Sequence, residues 1–276
     1  MDNLFTMKTY DYKDPFDLVM DNCSDPYRLF VKKELIKREK AQNRPRIIHG
    51  QSIFDRLIRY YLFYHTNVMT KKASYNDQPP KIGAAFMGET FVKQAEAICR
   101  TKRPIFSSDM KSFDSKIREE HIQGDLMRRE ILLRESGLFK GHPLENWYIV
   151  ATNSNYALCN ATYLVGDKLI TNPHYSGFQK SGDVNTGDAN SWIRAAIEYC
   201  VLSDCTGEPV GHLITNSANI IGTMGDDCYM QTVHHNKVCD FDYKNAFDNY
   251  KVKLKVVLRM DGCFEFCSVM YTIKDP

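Results

Sequence analysis

The chain has 276 residues, of which 43% are hydrophobic and 12% aromatic, enough for one large domain or two small ones with a sizeable buried core, and too apolar for a disordered segment. A formal net charge of +2 excludes a general polycation, so any phosphate-binding surface has to come from local charge. No run of about 20 apolar residues is present, and residues 1–10 are polar, with Asp2 and Lys8, so neither a membrane span nor a secretory leader is expected.

Residues 26–46 read as basic and partly irregular. Arg28, Lys32, Lys33, Lys37, Arg38, Lys40, Arg44 and Arg46 stand against Glu34 and Glu39, eight cations against two anions and a local +6. Such a stripe suits a phosphate-rich ligand and equally a solvated helix face. Residues 47–66 carry Ile53, Leu57, Ile58, Tyr61, Leu62 and His65 at helical spacing. Residues 71–81, with Asn76, Asp77, Pro79 and Pro80, read as a loop. A helix is expected over 86–100, and Pro104 opens a short strand over 105–110. Residues 115–136 read as a long amphipathic helix closed by Gly137. A hairpin follows over 163–179 around Gly166-Asp167, then a helix over 190–202. A second hairpin over 220–233 has Gly225, Asp226 and Asp227 at its tip. Residues 256–258 and 264–271 are strand-like. The mixture implies an α+β domain, most economically an antiparallel sheet with helices behind it. Nine scattered cysteines read as small buried hydrophobes of a reducing compartment. Cys228, His234, His235 and Cys239 offer zinc-ligand types without the spacing of a finger, and read as structural.

Three segments carry candidate chemistry. Asp226 and Asp227 repel each other at the hairpin tip, a cost tolerated where a divalent cation sits, because Mg²⁺ prefers hard oxygen ligands. Alone, Gly-Asp-Asp is more often a plain turn. Asp109, at the end of the 105–110 strand, can project beside that tip. Two-metal phosphoryl transfer needs carboxylates from separate strands, with metals about 4 Å apart. Asp114 lies too far along to share that position; it is placed either to accept hydrogen bonds from a sugar hydroxyl or to cap a helix. In the run from Ser181 to Asn190, Gly182 and Gly187 allow close backbone approach. Thr186 and Asn190, four residues apart, share one helix face. Their hydroxyl and amide suit a ribose 2′-OH, although a Gly-rich loop with a helix cap would look the same.

In order, Asp-x4-Asp, Ser-Gly-x3-Thr-x3-Asn and Gly-Asp-Asp resemble motifs A, B and C of the RNA-dependent RNA polymerases of positive-strand RNA viruses. Lys32-Lys33-Glu34 through Arg44-Pro45-Arg46-Ile47-Ile48 resembles motif F, and Phe264-Glu265-Phe266-Cys267-Ser268 resembles motif E. The Ser-Gly-Asp-Val-Asn-Thr and Glu-Phe-Cys wordings are similar to tombusvirus-like and luteo/sobemovirus-like polymerases, over about residues 27–271.

The resemblance implies a right-hand polymerase palm, an RRM-like antiparallel sheet with helices behind it. It divides the chain into partial fingers with motif F over 1–104 and a palm with motifs A to E over 105–276. A fingers insertion lies within 115–180, and the family's helical thumb is absent. It implies Asp109 and Asp226 as principal metal ligands and Asp227 as their support, with Mg²⁺, or Mn²⁺ as its substitute. Lys255 is the choice for the motif D general acid over Lys251 and Lys253, because it precedes an apolar strand close before motif E. Asp114, Thr186 and Asn190 are implied to select the ribose, Ser181 and Gly182 to follow template and nascent pair, Lys33 and Arg46 to clamp the triphosphate, and Cys267 and Ser268 to grip the primer strand. RNA template, nascent RNA, ribonucleoside triphosphates and other viral replication proteins are the implied partners. The host cytoplasm is the implied location, with any membrane association made through regions outside this chain. Two rivals differ in kind. A reverse transcriptase usually carries an aromatic-x-Asp-Asp sequence, whereas Met224-Gly225 precedes the pair here. An inactive RNA-binding replication protein would not need Asp109, Asp226 and Asp227.

Overall fold

A computed structural model describes residues 19, 24–32, 47–73, 78–138, 144–171, 179–240 and 243–273. Along the chain run β1 (Tyr27–Val31), β2 (Ile47–Gly50), α1 (Ile53–Ala73), α2 (Glu89–Arg100), β3 (Ile105–Met110), α3 (Glu119–Ser136) and α4 (Leu144–Cys159). There follow β4 (Thr162–Val165), β5 (Lys168–Thr171), α5 (Thr186–Thr206), α6 (Val210–Thr215), β6 (Ile220–Met224), β7 (Asp227–Gln231), α7 (His235–Asp240) and α8 (Tyr243–Ala246). The last strands are β8 (Leu254–Arg259), β9 (Phe264–Phe266) and β10 (Val269–Tyr271).

The sheet that positions the site has the order β6-β7-β3-β8, antiparallel throughout. Its strands alternate, as a period of two requires. Phe106, Met110, Cys228, Met230 and Leu254 join one core with Ile193, Ile197 and Val201 of α5. Ile105 and Tyr229 point the other way, into a second core with Phe91 and Ile98 of α2 and with Phe264, Phe266 and Tyr271 of the last hairpin. The central strands β3 and β7 are buried along most of their length and open only near the β6–β7 turn, whereas the edge strand β8 is largely exposed. The fold is the expected α+β one, an antiparallel sheet backed by helices.

A second sheet, order β2-β1-β4-β5, joins the start of the chain to residues 162–171 through a parallel β1–β4 pair. A third core holds α1, α3 and α4 together, with Leu62, Phe63, Leu126, Leu133, Trp147 and Ala151. The Trp147 indole N–H donates to the Leu62 carbonyl at 2.8 Å, which satisfies a buried donor. No helix among the described residues is long and apolar enough to cross a membrane.

Several expected boundaries move, each for a local reason. The helix expected over 47–66 is a strand followed by a helix. Ser52 divides them, its hydroxyl accepting from the Asp55 amide at 3.1 Å as an N-cap, and α1 then runs on to Ala73, into the expected loop. The helix expected from 115 starts at Glu119, because Ser112 is left-handed at φ 53° and a 3-10 turn, Phe113–Lys116, intervenes. Gly137 closes it at φ 67°, as expected. The helix expected over 190–202 gains a turn at each end. Strand β1 lies inside what reads as an irregular basic stretch, and α4 was not foreseen. Of the hairpin expected over 163–179, β4 and β5 form around Gly166, while residues 172–178 lie outside the described residues.

Candidate active site

Strand register assembles the acidic cluster. On β3, Asp109 lies opposite Asp227 of β7 on one side and opposite Lys255 of β8 on the other. Directly opposed residues in an antiparallel pair face the same way, so carboxylate, carboxylate and amine stand in one row across three strands. Asp226 is exposed in the β6–β7 turn, which Gly225 closes at φ 63°, and its carboxyl group is within hydrogen-bonding reach of Asp109.

Burial, and then the Asp226 charge, raise the Asp109 carboxyl above its usual range; Lys255 and Arg194 pull it back. Burial, then Asp226 and Asp109, push Asp227 up to about 6. Burial and crowded negative charge, only partly offset by Lys255 and Arg194, disfavour the ionised carboxylates, which is the condition a bound cation relieves. Among the described residues no three His, Cys, Asp or Glu side chains stand close enough together to hold a metal ion as they are. The fit to a hard divalent cation is one of donor chemistry: three carboxylates, partly desolvated, from adjoining strands and their turn.

Helix α5 holds the tip from behind. Arg194 is fully buried; its Nη2 donates to Ser108 Oγ at 2.5 Å and its Nε to the Asp226 carbonyl at 3.3 Å. Glu198 neutralises it across 2.5 Å, and Tyr243 donates its hydroxyl to the same carboxylate. One turn earlier, Ser191 Oγ accepts from the Gly225 amide at 2.8 Å, while its carbonyl accepts from the Thr223 hydroxyl at 2.8 Å. Sequence reasoning missed Ser191, Arg194 and Glu198. The available signal was an i,i+4 ion pair inside residues 192–202 of α5, a stretch otherwise made of apolar and aromatic residues, where a charge cannot be solvated.

The third element is the loop running into α5. Asn190 Nδ2 donates to Asp114 Oδ1 at 2.5 Å, so these two residues, 76 apart in sequence, meet directly. The other Asn190 atom, Oδ1, is buried without a hydrogen-bond partner, an acceptor left open in a position where an unmade bond is costly. Thr186 shares the first turn of α5, but its hydroxyl lies 2.5 Å from the Lys180 carbonyl and 3.0 Å from that of Asp183, so it closes its own loop. Ser181 Oγ accepts from the His49 amide at 3.4 Å and lies 3.4 Å from the Ile47 carbonyl. Gly182 passes so close to β2 that an added Cβ would stand 2.0 Å from the His49 carbonyl oxygen. Beneath the loop, Lys180 is buried with its ammonium 5.6 Å from the Tyr163 ring centre, and burial pushes it down to about 8.

Cys267 and Ser268 form the turn of the β9–β10 hairpin, both left-handed, at φ 50° and 62°. The Cys267 thiol reaches the Asp227 carboxylate; burial, and then that charge, push the thiol up to about 12. The Glu265 amide donates to Ser107 Oγ at 3.2 Å and fixes the hairpin to β3. Lys33 and Arg46 lie outside the described residues. Beside the loop, a groove of about 610 Å³ runs between α1 and the start of α5, lined by Arg56, Tyr60, Tyr64, Lys71, Val184 and Gly187. Tyr60 and Tyr64 are exposed, with ring centres 5.4 Å apart.

No protein-family model matches the chain. It is 30% identical over 202 residues to the replicase polyprotein P2AB of Southern bean mosaic virus, covering 71% of this chain and 19% of that one. It is 32% identical over 209 residues to protein P1-P2 of Pea enation mosaic virus-1, covering 70% and 17%, and 30% identical over 202 residues to the replicase polyprotein P2AB of Cocksfoot mottle virus, covering 71% and 20%. The chain thus spans about a fifth of the length of these relatives. Among solved structures, the Sicinivirus 3Dpol RNA-dependent RNA polymerase matches with a TM-score of 0.59 at 19% identity, over 88% of this chain and 47% of that chain. The chain is a homologue of the luteo- and sobemovirus replicase polyproteins over about 70% of its length, and it has the right-hand fold of the viral RNA-dependent RNA polymerases.

Proposed function

We propose that the chain is the catalytic core of an RNA-dependent RNA polymerase. It transfers nucleotidyl groups from ribonucleoside triphosphates to an RNA 3′-OH in viral replication and transcription, in the host cytoplasm. The observation that carries this reading is the linkage of two groups of residues through one helix. Asp109, Asp226 and Asp227 share a strand end, and Ser191, which holds their turn, directly follows Asn190, which meets Asp114.

Asp109, Asp226 and Asp227 would hold two divalent cations, Mg²⁺ or Mn²⁺, which when bound supply activation of the 3′-OH and charge stabilisation at the α-phosphate. The protein's own work is mainly positioning. Lys255, in register with Asp109, donates a proton to the departing pyrophosphate. Asp114 and the open acceptor of Asn190 read the ribose 2′-OH, and Thr186 serves them by closing the loop they depend on. Ser181 and Gly182 carry that loop past β2 toward template and nascent pair. Lys33 and Arg46 bind the triphosphate, and the Cys267-Ser268 turn grips the primer. Single-stranded template lies in the groove beside α1, with bases stacked on Tyr60 and Tyr64 and phosphates on Arg56 and Lys71.

Primer extension on an RNA template, run separately with ribo- and deoxyribonucleoside triphosphates in Mg²⁺, tests the reading. Ribonucleotide incorporation is expected. Preference for deoxyribonucleotides would identify a reverse transcriptase, and no incorporation with retained RNA binding would identify a replication scaffold.

A further inference from the structure

Two buried arginines grip the 183–188 segment from below. Arg59 of α1 is 4% exposed; its Nε donates to Asp183 Oδ1 at 2.6 Å and its Nη2 to Asp183 Oδ2 at 3.1 Å, while Nη1 donates to Ser154 Oγ at 2.8 Å on α4. Arg129 of α3 is 1% exposed; its Nη2 donates to Asp188 Oδ2 at 2.5 Å, its Nε to Asp125 Oδ2 at 2.7 Å, and its Nη1 to Thr66 Oγ1 at 2.6 Å on α1. Arg128 adds a bond to the same Asp188 oxygen at 3.2 Å. The second Asp188 oxygen is buried without a partner, so that carboxylate hangs on one atom shared by two guanidinium groups. Three helices thus converge on Asp183 in the loop and Asp188 in the first turn of α5.

Net stability does not explain this arrangement, because apolar side chains of equal volume are often as stabilising as a buried ion pair. What charge adds is direction: a bidentate guanidinium–carboxylate fork admits one geometry. Between the two anchored aspartates sits Thr186, and two residues beyond Asp188 sits Asn190, whose meeting with Asp114 depends on the height and turn of the helix start.

We propose that Arg59 and Arg129 are positioning residues. Through Asp183 and Asp188 they hold the loop in the single conformation that presents Asn190 to Asp114. The functional consequence rests on the polymerase reading; the conformational one does not. Losing either grip should therefore loosen sugar selection before it loosens the fold.

Two measurements on the full chain decide this, made on Arg59→Lys, which keeps the charge and loses the fork, and on Asp188→Asn. Hydrogen exchange followed by mass spectrometry should show residues 181–190 opening by about tenfold or more, the equivalent of one directional hydrogen bond, with residues 220–231 unchanged. The ratio of kcat/KM for ribo- over deoxyribonucleotides, which does not depend on the fraction of active molecules, should fall by a similar factor. Arg134→Ala, at an exposed arginine of α3, the helix that carries Arg129, paired with Glu130, should leave both unchanged. Exchange in 181–190 at the wild-type rate, or raised equally in 220–231, overturns the inference. So does an unchanged sugar ratio in an active variant. If the wild-type chain extends no primer, the polymerase reading fails, and the exchange data alone still decide whether the arginines fix the loop.

Discussion

Replacing Gly182 with alanine should damage the site through a single methyl group. The added Cβ would lie 2.0 Å from the His49 carbonyl oxygen, where real contacts do not fall below 3.0 Å, so backbone must move by at least about 1 Å. Neither side is soft. His49 is paired with Leu29 in the β1–β2 ladder, and the 181–190 loop is held by Asp183 and Asp188. Overpacking of this kind costs about 1–3 kcal/mol, which for a chain of this size lowers Tm by about 2–5 °C. The larger effect should be on rate, because a displacement of about 1 Å from reacting geometry costs on the order of 10²-fold. Steady-state primer extension and a melting curve on the same preparation give both quantities. Gly187→Ala is the internal control: its Cβ would meet only the Ile82 methyl at 3.6 Å, and alanine favours the helix there by up to about 1 kcal/mol. If Gly182→Ala extends primer within about twofold of wild type while melting at the same temperature, the tight passage of this loop past β2 is not what positions the site.

Asn190→Ala removes both the bond to Asp114 and the open acceptor. It should lower the ribo-over-deoxyribonucleotide preference by about 10–100-fold while leaving the Mg²⁺-induced rise in Tm intact; a loss of stability with unchanged preference would reduce Asn190 to a helix residue. His49, pushed down to about 4 by burial and then by Lys180, binds fewer protons folded than unfolded. Its contribution to stability is therefore full above about pH 6.5 and is lost as pH falls toward 4. Wild type should lose more Tm than His49→Gln between pH 7.5 and 4.5, and a difference that does not vary with pH contradicts the assignment. The double variant Tyr60→Ala/Tyr64→Ala should weaken binding of a short single-stranded RNA by about 1–3 kcal/mol per stacked base, read by fluorescence anisotropy, and equal affinity would remove the groove from the template path.

The parts legible in sequence were those where local chemistry and tertiary context agree. Strand 105–110 was readable because Pro104 opens it and Ile105 and Phe106 start it, and the 220–233 hairpin because Gly225 can take the left-handed turn its tip requires. From that hairpin and strand alone, Asp109, Asp226 and Asp227 could be expected together, and register brings them so. Helix α4 escaped because Thr152, Asn153, Ser154 and Asn155 interrupt its apolar pattern; Ser154 and Asn155 are inside because Arg59 needs partners there. Strand β1 escaped because Arg28 within it and Lys32 and Lys33 just after it read as solvated, and its second neighbour, β4, is more than 130 residues away. Arg59 and Arg129 could not be placed, since the carboxylates through which they reach the 183–188 segment, Asp183 and Asp188, lie far away in sequence, whereas the i,i+4 pair of Arg194 and Glu198 did leave a local signal.

The account stands most directly on Asp109. Single-turnover extension of an annealed RNA primer by the full chain carrying Asp109→Asn should fall by more than about 10³-fold. The same variant, free of Mg²⁺ at pH 7.5, should melt at or above the wild-type temperature, because the carboxyl is raised above its usual range by burial and Asp226 and its ionised form therefore opposes folding. Extension within tenfold of wild type, or loss of activity together with loss of the folded state, would contradict the claim that this strand end is a nucleotidyl-transfer centre.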